Sequence, residues 1–230
     1  MAYEGKTEDA LTIKNDKMDE ARFEAFLTDA FANMNEALKE GGAFYIWHAS
    51  RTHATFKKAL DINGLEERQQ IIWNKSIIVF GRSDYQWKHE PCIYGWKEGA
   101  AHYFCDSRKK TTVQNIASCD LKKKTKDELI KIINELIEET PSTVMDEKKP
   151  NRNGIHPTMK PVALIGRQIK NSSKPGEIVL DLFGGSGTTI MACEELDRRA
   201  FVMEYDPFYA DAIIERWEHQ TGRKAEKVCS

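Results

Sequence analysis

The 230-residue sequence is poor in cysteine, and its cysteines follow no pattern. Five are scattered along the chain without a C-x-x-C pair, which argues against a disulfide framework and against a cysteine zinc site. The six histidines are dispersed too, and none lies at ligand spacing from a cysteine, so we predict no metal site. Scattered, odd-numbered thiols are typical of a cytoplasmic protein, and we expect that compartment.

Long hydrophobic runs are also missing. No stretch reaches 18 apolar residues and the first residues form no apolar signal segment, so we predict neither membrane insertion nor secretion. A formal net charge of -2 gives no general attraction to nucleic acid, and any such affinity must be local. The length and the ordinary 40% hydrophobic content favour one globular domain over residues 1–230.

What the sequence does contain is a regular α/β pattern towards its end. A strand at Glu177–Asp181 precedes a glycine-rich turn, a helix starts at Thr188, and a strand follows at Ala200–Glu204. This order predicts parallel strands joined by a right-handed crossover. Helices are also predicted from Pro161 to about Asn171 and from Pro207 onwards.

The first half shows a different alternation, of helices with aromatic-rich strands. Apolar spacing and capping residues predict helices from Asp19 and over Thr52–Leu60. Strands are predicted at Ala43–Trp47, Gln70–Lys75 and Glu90–Trp96. Residues 106–152 differ in composition from both flanks, since positions 106 to 126 contain seven Lys or Arg against two Asp, and we interpret them as an insertion.

The most informative local pattern is the loop Asp-Leu-Phe-Gly-Gly-Ser-Gly-Thr-Thr at 181–189. An acid ends a parallel strand, and glycines then let the backbone turn tightly beside a ligand before a helix begins. The spacing fits neither the dinucleotide fingerprint nor the P-loop, and the phosphate-binding lysine is absent. A tight turn without a ligand is the alternative, which the acids at both strand ends disfavour.

This loop resembles the methyl-donor loop of the DNA amino-methyltransferases, specifically the beta class that acts on adenine N6 or cytosine N4. The resemblance implies an α/β, Rossmann-like S-adenosyl-L-methionine-dependent methyltransferase fold, with a mostly parallel sheet and helices on both faces. Glu204 would take the ribose hydroxyls, since a carboxylate can accept from both. The other residues that would hold the donor are Asp181, Phe183, Gly185, Ser186, Gly187 and Thr188.

A second segment, His-Pro-Thr-Met-Lys-Pro at 156–161, resembles the family motif that precedes the donor loop. The resemblance places His156, Thr158 and Lys160 beside the methionine part of the donor. Lys160 would offer a cation to its carboxylate. Two motifs in this order, about twenty residues apart, are far more specific than either alone.

The resemblance extends to the segments around the predicted strands of the first half. It implies that Trp73, Lys75, Tyr85 and His89 lie at the pocket for an extruded base. Taken singly, the tryptophans are better explained as core residues. Residues 1–105 would form the target-base half, 106–152 the target-recognition insertion and 153–230 the donor half. Within the insertion Lys122, Lys123 and Lys124 would contact DNA phosphates, although a solvated charged face explains them equally well.

The family's catalytic motif is missing, because the sequence contains no Pro-Pro dipeptide. In the family an Asp, Asn or Ser followed by Pro-Pro and an aromatic residue binds the amine to be methylated. Its expected position lies just before Met1, so we expect a chain truncated after that motif, a motif supplied by an upstream segment or another chain, or a decayed remnant. We therefore assign no catalytic residue. Asp-Pro-Phe-Tyr at 206–209 is explained by a helix cap followed by proline.

The resemblance implies methyl transfer from S-adenosyl-L-methionine to an exocyclic amine of double-stranded DNA, without a metal, as in phage-type and restriction-modification methylases. Adenine is favoured over cytosine only by the base rate of the family members that this sequence resembles. Two alternatives stay open. One is an RNA methyltransferase, and the other is a non-catalytic fragment that binds the donor or DNA.

Overall fold

The computed structural model describes residues 18–79, 84–105, 144–147 and 159–228, and two sheets organise these residues. The strands are β1 (Ala43–Trp47), β2 (Glu67–Val79), β3 (Trp87–Trp96), β4 (Val144–Glu147), β5 (Ile178–Asp181) and β6 (Arg199–Val202). The helices are α1 (Glu20–Ala37), α2 (His53–Ile62), α3 (Val162–Ser172), α4 (Thr188–Glu195) and α5 (Pro207–Thr221), and a 3-10 turn at Ser50–Thr52 precedes α2. Every helix and strand predicted above within the described ranges is present, whereas a helix that the Thr-Lys-Asp-Glu capping pattern at 125–128 also predicts lies outside the described residues.

The helix ends follow the capping residues read from the sequence. Asp19 caps α1, because its carboxylate accepts the backbone N–H of Arg22 at 2.8 Å. Asp206 caps α5 in the same way, accepting the N–H of Phe208 at 3.1 Å with a proline at the first helical position. The capping interpretation of the Asp-Pro-Phe-Tyr segment is therefore confirmed.

The larger sheet has the order β1-β3-β2-β4, and only its last pairing is parallel. Strand β3 pairs antiparallel with both β1 and β2. The described part of this half is therefore mostly antiparallel, in contrast to the mostly parallel sheet expected for the fold as a whole. The physical reason is the short connection over residues 80–86, since a link of this length joins neighbouring strands only as a hairpin.

Strand β4 lies inside the region that we interpret as an insertion. It pairs in parallel with β2, with Val144 opposite Ile72 and Glu147 opposite Lys75. Four residues in a charged neighbourhood give almost no alternation, and the sequence pattern predicts no strand there. This part of the region thus extends the sheet.

The smaller sheet is the parallel pair β5 and β6, joined through α4 as predicted. Val179 packs with Ile169 of α3 and with Ala192 and Cys193 of α4, so helices cover one face of the pair. The other face is open, because Ile178 and Leu180 are 59% and 41% exposed.

Strand β1 has helices on both faces. Phe44 packs with Leu27 and Phe31 of α1 and with Leu60 of α2. On the opposite face the Tyr45 hydroxyl lies 2.7 Å from the Ser172 hydroxyl of α3. Helix α3 therefore packs beneath both sheets, since it also contacts β5.

Candidate functional site

The first acid of the loop, Asp181, is tied to the loop itself. Its Oδ1 accepts the backbone N–H of Phe183 at 3.0 Å, and its Oδ2 accepts the hydroxyl of Thr189 at 2.6 Å. Burial raises the pKa of Asp181 above its ordinary value, although these two hydrogen bonds favour the charged form. Asp181 thus connects the end of β5 to the first turn of α4 and holds the loop in one conformation.

The loop requires glycine for two separate reasons, the backbone conformation and close packing. Gly185 and Gly187 have φ of 54° and 72°, in the left-handed region that favours glycine. A Cβ at Gly187 would lie 2.8 Å from Cγ2 of Ile213, and one at Gly184 would lie 2.6 Å from Cγ1 of Val202. Gly184 and Gly187 therefore permit close packing of the loop on β6 and α5.

The second acid, Glu204, lies two residues past β6 and faces the same loop. Its Oε2 accepts the N–H of Gly185 at 2.7 Å, and its Oε1 accepts the N–H of Asp206 at 2.9 Å. Each carboxylate oxygen can accept a further hydrogen bond. Two backbone donors thus fix the orientation of a carboxylate that retains the capacity to bind hydroxyl groups.

Three exposed apolar side chains lie next to Glu204 in the chain or in the loop that it contacts. Met203 and Tyr205 flank Glu204 directly, and Phe183 lies in the loop and contacts the ring of Phe26 at 5.8 Å between centroids. All three are more than half exposed, and clustered exposed apolar groups commonly mark a binding site. An acid between exposed apolar surfaces suits a ligand that combines a flat ring with a sugar.

The hydroxyl groups of the loop face the protein. The hydroxyls of Ser186 and Thr188 lie 3.0 Å apart, and Thr188 donates to the carbonyl of Lys160 at 3.1 Å. Both side chains are buried. These two residues, which the resemblance assigns to the donor, attach the loop to the segment before α3, and their contact with a donor stays a prediction.

Lys160 belongs to a charged cluster that links the two halves. The carboxylate of Glu90 lies 2.9 Å from Nζ of Lys75 and 3.1 Å from Nζ of Lys160. Burial opposes the charge of Glu90, but the two lysines outweigh it and hold its pKa below the ordinary value. One carboxylate between two ammonium groups leaves one positive charge in excess within the cluster. Sequence reasoning gives Glu90 no role, because its partners lie 15 and 70 positions away.

The residues predicted for the base pocket do not share one surface. Trp73 is 2% exposed and packs edge-on against Trp47, with ring centroids 6.2 Å apart. Tyr85 is 91% exposed, and His89 is an exposed residue beside the ring of Trp87. Trp73 thus occupies a core position, which is the alternative interpretation of the tryptophans. His156, Thr158, Lys122, Lys123 and Lys124 lie outside the described residues.

The carboxyl end of β1 carries two buried polar atoms, Nε1 of Trp47 and Nε2 of His48, that have no hydrogen-bond partner among the described residues. The other ring nitrogen of His48 lies 3.0 Å from the carbonyl of Ala49. Burial lowers the pKa of His48, because an apolar environment disfavours the imidazolium. Buried polar atoms of this kind are uncommon, and here the Trp47 ring centroid lies 5.7 Å from Nζ of Lys160.

A large cavity of about 1840 Å³ adjoins the glycine-rich loop, Glu204 and Lys160. Its lining includes all residues of β1 and of β5, and the donor-loop residues from Phe183 to Ser186. Lys160 and Glu204 line it as well.

Within the described ranges no group of three His, Cys, Asp or Glu side chains is placed to hold a metal ion. No helix in those ranges is long and apolar enough to cross a membrane.

Comparison with known proteins decides the family. The family model N6_N4_Mtase, described as DNA methylase, matches residues 3–215. The chain belongs to this DNA methylase family. It is 42% identical over 65 residues to the type II methyltransferase M.HpaI of Haemophilus parainfluenzae, an alignment that covers 28% of this chain and 21% of that enzyme.

Solved structures show the fold over a larger share of the DNA methylase. The M1.HpyAVI–SAM complex has a TM-score of 0.65 at 22% identity, with 87% of this chain and 85% of that chain covered. The cytosine-N4-specific PvuII DNA methyltransferase has a TM-score of 0.64 at 15% identity, with 90% and 76% covered. The predicted Rossmann-like methyltransferase fold is therefore confirmed.

Proposed function

We propose that this DNA methylase binds S-adenosyl-L-methionine at the loop from Asp181 to Gly187 together with Glu204. The observation that carries the proposal is the Glu204 carboxylate, which two backbone N–H groups orient among exposed apolar side chains. Family membership and a structural neighbour that was solved with SAM support the same ligand.

The site has residues suited to the ribose, the adenine and the methionine part of this donor. Glu204 would accept hydrogen bonds from the ribose hydroxyls, and the exposed rings of Phe183 and Tyr205 would cover the adenine. The Lys75–Glu90–Lys160 cluster has one positive charge in excess, which suits the carboxylate of the methionine part. When bound, the donor supplies an activated methyl group. The protein's task is to position the acceptor beside it and to exclude water.

We further propose that the acceptor is an exocyclic amine of a base in double-stranded DNA. The family description, DNA methylase, and the PvuII DNA methyltransferase support DNA as the substrate class. The family covers N6 and N4 amines, and adenine N6 stays our prediction on the base rate of the resembling family members. A target-recognition role for Lys122, Lys123 and Lys124, and a cytoplasmic location, also stay predictions.

We expect the group that binds the amine to lie in a segment with the Asp/Asn/Ser-Pro-Pro-aromatic motif. Residues 1–230 contain no Pro-Pro dipeptide. We retain the hypothesis that an upstream segment or another chain provides it. In the family that motif brings a polar acceptor and a stacking ring to the flipped base.

Calorimetry with S-adenosyl-L-methionine tests the donor site. Glu204→Gln removes the charge from the oriented carboxylate, and we expect affinity to fall by about 10- to 100-fold, the weight of hydrogen bonds to a charged group. Glu215→Gln, on the exposed side of α5, is the matched control and should bind as the wild type does. Equal affinity of the two variants would refute the site.

The substrate class is tested by methyl transfer from radiolabelled donor to duplex DNA and to RNA of the same sequence. In both assays the chain is mixed with a peptide that carries Asp-Pro-Pro-Tyr. Label in the DNA alone supports the proposal. Label in the RNA alone would favour the RNA alternative, which no described residue contradicts.

A further inference from the structure

The turn after β1 carries an arginine whose charge the fold does not use. Arg51 lies in the 3-10 turn Ser50–Thr52 between β1 and α2, and it is exposed. Within the part of the chain that the structure describes, its side chain has no hydrogen bond and no ion pair. The neighbouring Thr52 differs, because its hydroxyl donates to the carbonyl of Ala49 at 2.9 Å. The turn is therefore held by Thr52 and leaves the guanidinium of Arg51 available.

The next cations along the chain are neutralised. Nζ of Lys57 lies 2.9 Å from the carboxylate of Asp61, and Nζ of Lys58 lies 2.6 Å from the carboxylate of Glu24. Because each of these lysines has its own acid, Arg51 is the uncompensated charge at the start of α2.

Arg51 lines the same cavity as the donor loop, and it lies at the same end of the strands. Two contacts of Lys160 bring the ends of β1 and β5 together. Its Nζ lies 5.7 Å from the ring centroid of Trp47, the last residue of β1. Its carbonyl accepts the hydroxyl of Thr188, which follows the donor loop. Arg51, which follows Trp47 closely in the chain, is therefore at the end of the cavity where the donor loop lies.

This end of the cavity thus has two cationic groups that differ in burial. The side chains of the Lys75–Glu90–Lys160 cluster are only 18–24% exposed, whereas Arg51 is an exposed residue. The cluster suits an anion that enters the cavity, such as the carboxylate of the donor. Arg51 suits an anion that stays at the entrance. A nucleotide turned out of a duplex places its base in the pocket and leaves its backbone outside.

We propose that Arg51 binds a backbone phosphate beside the nucleotide to be methylated. A guanidinium can give a phosphate two parallel hydrogen bonds, which fix its position as well as neutralise its charge. Arg51 is then a positioning residue that holds the DNA strand while the base lies in the cavity. The inference rests on the proposed function, because it takes double-stranded DNA as the acceptor.

Arg199 provides a matched control within the same cavity. It is also exposed, lines the cavity and has no carboxylate partner among the described residues. It begins β6, and its backbone N–H donates to the carbonyl of Glu177 just before β5, at 3.0 Å. Arg199 therefore lies at the opposite end of the strands from the donor loop, and the two arginines differ in place and not in charge.

The first test measures binding of a mixed-sequence DNA duplex over a range of salt concentrations. Each phosphate contact contributes about 0.9 to the slope of log affinity against log salt, so Arg51→Gln should lower the slope by about that amount and weaken binding by about tenfold. Arg51→Lys keeps the charge and should restore the slope. Arg199→Gln should bind as the wild type does. An unchanged slope in Arg51→Gln would overturn the inference, and no binding by the wild type would overturn DNA as the substrate class too.

A second test locates the phosphate. The duplex carries one unpaired adenine or, in a parallel set, one unpaired cytosine, because an unpaired base is easily turned out. The two flanking phosphates are replaced by uncharged methylphosphonates. The wild type should lose affinity on this replacement, whereas Arg51→Gln should lose none. Equal losses in the two proteins, or no loss in the wild type on either duplex, would overturn the inference.

Calorimetry with S-adenosyl-L-methionine separates the two anions. Arg51→Gln should bind the donor as the wild type does, since the Lys75–Glu90–Lys160 cluster is assigned to its carboxylate. Weaker donor binding with an unchanged salt slope for DNA would assign Arg51 to the donor and overturn the inference. A wild type that binds DNA as expected but no donor would refute the proposed donor site and leave the role of Arg51 standing.

Discussion

The two halves of the molecule differ in how completely their strands are covered. In the first half β1 lies between α1 and α2 on one face and α3 on the other, and Leu60 and Ile93 are fully buried. In the donor half α3 and α4 cover one face of β5, while Ile178 and Leu180 on the other remain exposed. The same fold therefore contains a packed half and a half whose sheet is open, and substitutions in the two should differ in cost.

The largest expected difference in the free energy of unfolding is between substitutions of one leucine in each half. Leu60→Ala removes a fully buried side chain and should lower the free energy of unfolding by about 2–5 kcal/mol. Leu180→Ala, at 41% exposure, should cost less than about 1 kcal/mol. Urea denaturation measures both. Similar losses would show that the outer face of β5 is packed in solution and would remove the contrast between the halves.

Two glycines sharpen the comparison inside the donor half. Gly184→Ala places a Cβ 2.6 Å from Cγ1 of Val202 and should cost about 1–3 kcal/mol. Gly166→Ala lies in α3 and meets only ordinary contacts of 3.6 and 3.9 Å, so it should raise stability by about 0.5–1 kcal/mol. Thermal unfolding shows whether each substitution raises or lowers the stability. A neutral Gly184→Ala would mean that the loop does not pack on β6 as described.

The sequence alone was enough to predict the strands and the helix cap of the donor half. It was less able to predict how side chains are arranged in the first half. Local signals sufficed for β5, β6 and the Asp206 cap, because each depends on neighbouring residues. The Glu90 cluster could not be predicted, since only the folded chain brings Lys160 to it. Trp73 could not be assigned either, because a core tryptophan and a stacking one have the same sequence pattern until burial is known.

The charged cluster between the halves gives a pH dependence at the acidic end. Although burial opposes its charge, the two lysines keep the pKa of Glu90 below its ordinary value, so its contribution is present above about pH 4.5 and is lost as the pH falls through the lowered pKa. Glu90→Gln should lose about 1–3 kcal/mol at neutral pH and show a shallower acid transition. The check is a series of unfolding curves from pH 7 to 3. Parallel curves for the two proteins would contradict the pairing.

The smallest effect concerns His48 at the end of β1. Burial lowers its pKa, so the unfolded chain binds more protons below the ordinary value of 6.5, and stability falls as the pH decreases through that value. The slope contributed by one histidine is at most about 1.4 kcal/mol per pH unit. His48→Gln should remove the slope, whereas His219→Gln on the exposed side of α5 should keep it. Unfolding between pH 7.5 and 5.5 measures both, and an unchanged slope in His48→Gln would assign it to another group.

The central claim is that the ends of β5 and β6 form one binding site for S-adenosyl-L-methionine. Gly185 tests it most directly, because its N–H donates to Glu204 and its φ of 54° excludes a branched side chain. Calorimetry with S-adenosyl-L-methionine should show binding to the wild type and to Gly166→Ala with the same affinity, and a loss of at least tenfold in Gly185→Val. Equal affinity in all three proteins, or no binding to the wild type, would contradict the account.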